Sequence, residues 1–130
     1  MKSLSPKKQS LSKLKQSVQT LFNKKIRERD SKDGFFVCIS CTRKLPIEKA
    51  NAGHFFPVKG FNWLRYDEDN VNIECIHCNG FNKAHLIYYA RNLQKKIGIE
   101  RFEALILRSK TPKPEFTREE LCLIKQNLTN

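Results

Sequence analysis

Four of the five cysteines of this chain fall in two matched pairs, Cys38-x2-Cys41 in "CISC" and Cys75-x2-Cys78 in "CIHC". Two thiolates at that spacing on one tight knuckle can reach a single ion, and two knuckles complete a tetrahedral zinc site. Four thiolates leave no vacant position, so the expected Zn2+ is structural, one per chain. Reactive dithiols or buried cysteines are the competing readings. The fifth cysteine, Cys122, lies beside Leu121 on a helical face and is expected to be a buried small residue. Between Cys41 and Cys75 lie 33 residues, more than the roughly 15–20 of a plain zinc ribbon. The clamp therefore closes around something. Inside it are "ANAGHFFP" and "RYDEDNVNIEC", joined through a loop containing Gly60, and Asn79 follows it directly. The order is strand, loop, strand and helix, with His54 on the first strand and Asn70 before the second.

The elements that must position these residues can be read coarsely. From Ser10 to about Arg29, Leu11, Leu14, Val18, Leu21, Phe22 and Ile26 recur at helical spacing, and "DSKDG" supplies a stop. Short strands are expected at Phe35–Cys38, Asn51–Phe56 and Asn70–Glu74. A second helix is expected from Asn79 to Ile97, with Leu86, Ala90, Leu93 and Ile97 as its packing stripe and Gly98 closing it. A third covers Glu100 to Arg108, "TPKP" breaks the chain, and "TREE" reads as a capping box opening the last helix. The expected class is α+β: a small zinc-stapled core (35–98) between a basic N-terminal helix arm (1–34) and a C-terminal helical packing segment (99–130), one globular domain overall.

The net charge of +12 over 130 residues is unevenly placed. Residues 1–30 carry nine Lys and Arg against two acids, and residues 79–110 carry seven against two, whereas 31–78 and 111–130 are balanced at six against six and three against three. Two basic flanks around a neutral centre suit a polyanion, although a solvated basic surface or passive RNA binding would also produce them. No apolar leader opens the sequence and no apolar run is long enough to span a bilayer. A soluble, cytoplasmic protein without membrane attachment is expected, where paired cysteines bind metal more often than they form disulfides.

The pattern CxxC, then His54, then Asn70 five residues before the second CxxC, in a strand–loop–strand–helix order, resembles the HNH endonucleases, ββα-metal nucleases, with a four-cysteine zinc clamp. More closely, "SKLKQSVQTLFNKKIRERDSKDGFFVCISC", "AGHFFPVKGFNWLRYDEDNVNIECIHCN" and "IGIERFEALI" resemble the NinG (Rap) family of recombination endonucleases from lambda-like phages, over about residues 11 to 107. The resemblance implies phage or prophage origin, a bacterial host cytoplasm, and metal-dependent hydrolysis of branched DNA such as Holliday junctions and D-loops. Phage recombination proteins are the further partners it suggests.

On that resemblance His54 is the general base, since a neutral imidazole can take a proton from the attacking water; a second-shell or core histidine is the plain alternative. Asn70 would hold the loop against the first strand so that His54 points correctly, or would serve only as a turn residue. Asn79 matches the HNN branch, in which an asparagine oxygen binds Mg2+ or Mn2+, and it is equally suited to cap a helix. On the expected helix it faces the hairpin that carries His54. Many relatives have Asp or His immediately before the catalytic His, and this chain has Gly53, so the second protein ligand is open; Asp67 is the candidate, with an exposed loop acid as the alternative. His77 and His85 are left to packing or phosphate contacts. Lys13, Lys24, Lys25, Arg27, Arg29, Lys83, Arg91 and Lys95 would grip phosphates without reading bases.

Two other classes compete with the nuclease. A non-catalytic four-cysteine zinc module that binds nucleic acid explains charge and cysteines but not His54, Asn70 and Asn79 together. A redox dithiol protein explains the pairs alone. A homodimer is also expected, because opposed cuts in a junction need two sites. Phe102, Leu105, Ile106, Leu121, Ile124 and Leu128 are the apolar residues offered for that contact, or else for closing the core over the first helix.

Overall fold

The computed structural model describes residues 9–80 and 84–130. Helix α1, Leu11–Asp30, opens at Ser10, whose hydroxyl oxygen accepts the Lys13 N–H. Its residues Leu14, Val18, Phe22 and Ile26, spaced by four, form one buried stripe. A three-stranded antiparallel sheet follows, β1 (Ser31–Lys32), β2 (Phe35–Val37) and β3 (Lys44–Pro46), in that spatial order. Strands β4 (Ala50–His54) and β5 (Val71–Cys75) make a separate antiparallel hairpin with Ala50 opposite Cys75 and His54 opposite Val71. Four further α-helices follow among the described residues: α2 (Ile76–Gly80), α3 (His85–Ile97), α4 (Ile99–Ser109) and α5 (Arg118–Thr129). The class is mixed α+β.

The hairpin is the centre of the molecule because helices cover it from both sides. In paired strands, opposed residues share a face and neighbours along each strand alternate. Ala52, Val71 and Ile73 therefore turn one way, and Ala52 and Val71 meet Phe22 and Ile26 of α1. Asn51, Gly53, Asn72 and Glu74 turn the other way, where the Asn72 amide donates to the Tyr89 hydroxyl of α3 at 3.2 Å. All five residues of β5 are buried. A second core, Leu64, Tyr89, Leu93 and Leu105 with Phe55, Phe56, Trp63 and Phe102, joins the hairpin loop to α3 and α4.

Several sequence expectations change here. Helix α1 is not an arm, since its buried stripe packs on α5 and on both hairpin strands. The "DSKDG" stretch does more than end a helix. Asp33 and Gly34 both have positive φ, 55° and 82°, and form the two-residue turn between β1 and β2. The single helix expected from Asn79 is replaced by α2, which begins at Ile76, and by α3 from His85. The cap belongs to Cys75, whose Sγ accepts the Cys78 N–H at 3.4 Å, the geometry of an N-cap side chain. The α3 stripe is rotated, with Tyr89 and Leu93 buried and Leu86 43% exposed. Gly98 closes α3 at φ 87°, its N–H on the Gln94 carbonyl. Thr117 and Glu120 form the expected reciprocal capping box of α5. Cys122 is exposed rather than buried.

The apolar residues offered for a dimer contact are largely spent inside the chain. Leu105 and Phe102 belong to the core under α3, and Leu121, Ile124 and Leu128 pack with Leu14 and Val18 of α1. They close the core over the first helix. Among the described residues, no helix is long and apolar enough to cross a membrane.

Candidate metal centre and adjoining hairpin site

The knuckles bring Cys38, Cys41, Cys75 and Cys78 together, with all four Sγ atoms within 4.8 Å of one another. Cys41 and Cys75 Sγ are 3.9 Å apart. Tetrahedral thiolates at a Zn–S distance of about 2.3 Å lie about 3.8 Å from each other, whereas a disulfide would need about 2.05 Å. Cys38 Sγ accepts the N–H of Cys41 at 3.4 Å and of Cys75 at 3.3 Å, bonds that support an anionic sulfur, although burial outweighs them and raises that thiol's pKa. Arg43 lies over the outer side, its Nε 3.5 Å from Cys41 Sγ and its Nη2 3.8 Å from Cys75 Sγ. Burial works against the Cys41 thiolate, but the bonds from Arg43 outweigh it and bring that thiol down to about 7. The cluster could hold a zinc ion, and it ties the β2–β3 turn to the end of β5.

His54 is the last residue of β4, where the chain leaves the hairpin for its loop. Its Nε2 lies 3.0 Å from the Arg65 carbonyl, which can only accept, so Nε2 carries the proton and Nδ1 is left as the basic nitrogen. Burial pushes its pKa below the ordinary 6.5, the Arg65 charge acts in the same direction, and the carbonyl bond acts against them. Asn70, fully buried, clamps the loop that makes this possible. Its Oδ1 accepts the Phe56 N–H at 2.8 Å, and its Nδ2 donates to the carbonyls of Phe56 and Leu64 at 3.0 and 3.1 Å. The loop is thus pinned at Phe56 and Leu64 by one side chain, with His54 and Arg65 just outside the pinned stretch.

Asn79 is exposed near the end of α2, so it caps no helix. It approaches Gly53, not His54: its Oδ1 lies 3.2 Å from where a Gly53 Cβ would be. It meets the hairpin that carries His54 on the face shared by Gly53 and Glu74. The same space holds the Glu74 carboxylate, with which a Gly53 Cβ would collide. Glu74 Oε2 takes hydrogen bonds from Ser40 Oγ and, at 2.6 Å, from His85 Nδ1.

Asp67 stands elsewhere in the network. Its carboxylate takes Arg108 Nε at 2.8 Å and Nη2 at 3.1 Å, and the Asp69 N–H at 3.0 Å. It anchors the hairpin loop to α4. Of the proposed phosphate contacts, Lys13, Lys24, Arg91 and Lys95 are exposed and Arg27 is half-buried. Lys25 pairs with Glu68 at 3.2 Å. Arg29 is a structural tie, donating to Asp30, to the carbonyls of Glu68 and Val71, and to Asn72 Oδ1. Lys83 lies outside the described residues. Sequence reasoning passed over Glu74, Ser40 and Arg65, and left His85 to packing or phosphate contacts. The one hint was a Glu on a strand that turns out to be buried on both faces, opposite Asn51 and on the same face as Gly53.

A family described as bacteriophage lambda NinG protein matches residues 2–130. Protein ninG of Salmonella phage P22 is 33% identical over 112 residues, covering 86% of this chain and 52% of that protein. Protein ninG of Escherichia phage 933W shows the same identity and coverage, and protein ninG of Escherichia phage lambda is 32% identical over the same shares. The chain spans about half the length of these curated relatives. No solved structure matches it. A match over nearly its whole length, joined to this identity with several phage proteins, shows that the chain belongs to the NinG family.

Proposed function

We propose that the chain is an HNH-type endodeoxyribonuclease that hydrolyses phosphodiester bonds in branched recombination intermediates, Holliday junctions and D-loops among them. One observation carries the reading: His54 is held with Nε2–H on the Arg65 carbonyl and with a depressed pKa, leaving Nδ1 neutral and basic near pH 7. The resemblance to HNH enzymes and the NinG membership agree with it.

In this reading the cysteine cluster holds zinc and supplies folding energy. A divalent ion, Mg2+ or Mn2+, when bound, polarises the scissile phosphate and stabilises the leaving oxygen. His54 Nδ1 takes the proton of the attacking water, and Asn70 keeps the imidazole in place through the loop. Lys13, Lys24, Arg91 and Lys95 hold the sugar-phosphate backbone, so selection rests on DNA shape rather than base sequence. Opposed cuts in a four-way junction need two copies on the DNA.

The test is cleavage of a labelled four-way junction with Mg2+ or Mn2+ by the wild type and by His54→Ala. The variant should bind the junction and lose cleavage by about a hundredfold or more, the scale of a missing general base. Cutting at the wild-type rate would return His54 to a structural role. Binding without cutting by the wild type would leave a zinc module that only binds nucleic acid.

A further inference from the structure

The geometry points to Glu74 as the charged ligand of a divalent cation, acting with Asn79 in the space that Gly53 leaves open. This deepens the nuclease reading and rests on it for what the ion does, though not for whether the ion binds. Glu74 is fully buried, and its two oxygens are used unequally. Oε2 is occupied by Ser40 Oγ and His85 Nδ1. Oε1 has no hydrogen-bond partner among the described residues. A buried carboxylate oxygen left without a donor is costly unless a cation or a proton completes it.

Oε1 points into a built cradle. It lies against Gly53, where even a methyl group would overlap it, and Asn79 Oδ1 comes within 3.2 Å of that same point. Gly53 is buried in a regular strand, and no positive φ explains the glycine. The space its missing side chain leaves is filled from the neighbouring strand by the Glu74 carboxylate. One anionic and one neutral oxygen converge there from two rigid supports, a buried strand and a helix capped by a cysteine of the thiolate cluster. Hard divalent cations such as Mg2+ and Mn2+ accept few protein oxygens and complete their shell with water or phosphate. The exposed side of Asn79 is where those would enter. Ser40 and His85, both on Oε2, fix the carboxylate so that Oε1 is the oxygen presented, the arrangement by which outer partners orient a metal ligand. The hairpin then carries the cation on the face of Gly53 and the base on the next residue, His54.

The experiment measures Mn2+ binding by the full chain with zinc preloaded, by calorimetry and by the electron paramagnetic resonance signal of free Mn2+. Zinc content and thermal melts are recorded for every variant. The wild type should bind one Mn2+ per chain. Glu74→Gln, which keeps the shape but removes the charge, should weaken binding at least tenfold while zinc remains. Gly53→Ala and Asn79→Ala should each weaken it severalfold. Should Glu74→Gln lose zinc or fail to fold, the Gly53 and Asn79 variants decide. No Mn2+ binding by the wild type, unchanged affinity in zinc-loaded Glu74→Gln, or unchanged affinity in both other variants overturns the assignment. Junction cleavage is scored separately: cutting with unchanged Mn2+ affinity in Glu74→Gln defeats Glu74 alone, and Glu74-dependent Mn2+ binding without cutting by the wild type defeats the nuclease and keeps the site.

Discussion

The Tyr89 hydroxyl donates a 2.6 Å hydrogen bond to the carbonyl of Gly53, and so ties the middle of α3 to the residue immediately before His54. The same oxygen accepts from Asn72 and lies 3.3 Å from the Asn70 carbonyl. Tyr89 is fully buried, and burial is the main cause that pushes its pKa far up, so it remains a neutral donor. Tyr89→Phe keeps the ring and removes the donor. It should lower stability by about 1–3 kcal/mol, the cost of buried polar groups left unpaired. Junction cleavage should fall more than junction binding. Denaturant unfolding and a paired binding and cleavage assay read both effects; a loss of binding as large as that of cleavage would show that Tyr89 acts on the whole surface and not on the placing of His54.

Zinc removal should unfold the centre of the molecule. The cluster joins the β2–β3 turn to β5 and caps α2 through Cys75, and the domain is small enough that metal binding is folding energy. Cys75→Ser, or stringent chelation with zinc verified absent, should remove most of the cooperative thermal transition. Retention of the native far-UV spectrum and melt would show that the knuckles hold without metal.

The pH dependence of cleavage should carry the signature of His54. Its folded pKa lies below 6.5 because of burial, so the neutral base persists at neutral pH. It is lost only as pH falls through the folded value. The acid limb of single-turnover cleavage should therefore fall below pH 6.5. Stability follows the same sign: between 6.5 and the folded value the unfolded chain binds the proton first, so stability drops as pH falls through that window. A limb centred above 6.5 would contradict the assignment.

A second acid-sensitive tie lies at the end of α1. Burial raises the Asp30 pKa, but hydrogen bonds from Arg29 and Lys96 outweigh it and hold the carboxylate below its ordinary 3.8. Its contribution is fully present above 3.8 and disappears as pH falls through the folded value. Lys96 remains protonated over that range, so the effect reports Asp30. In urea unfolding, Asp30→Asn should lower stability at pH 7 and flatten the decline of stability below pH 4. An unchanged decline would place the acid sensitivity in other carboxylates.

Local chemistry was legible without the fold. The cysteine spacing announces the knuckles because two thiols three residues apart reach one point whatever surrounds them. The stripe of α1, the Thr117–Glu120 box and the Gly98 closure are likewise written in periods and caps that need no distant partner. The loop-holding role of Asn70 rests on the resemblance to HNH enzymes, because its burial cannot be read from the sequence. Tertiary packing decided the rest. In "VNIEC" the alternation of apolar and polar residues reads as a strand with one wet face, yet α1 covers one side and α3 approaches the other, and Asn72 and Glu74 are buried with the rest. Strand register, set by pairing between segments about 20 residues apart, is what laid Glu74 beneath Gly53. The thiolate that caps α2 moved Asn79 from a helix start to a helix end and turned it toward that carboxylate. Those relationships depend on which elements meet across the hairpin, and neither residue spacing nor composition carries that information.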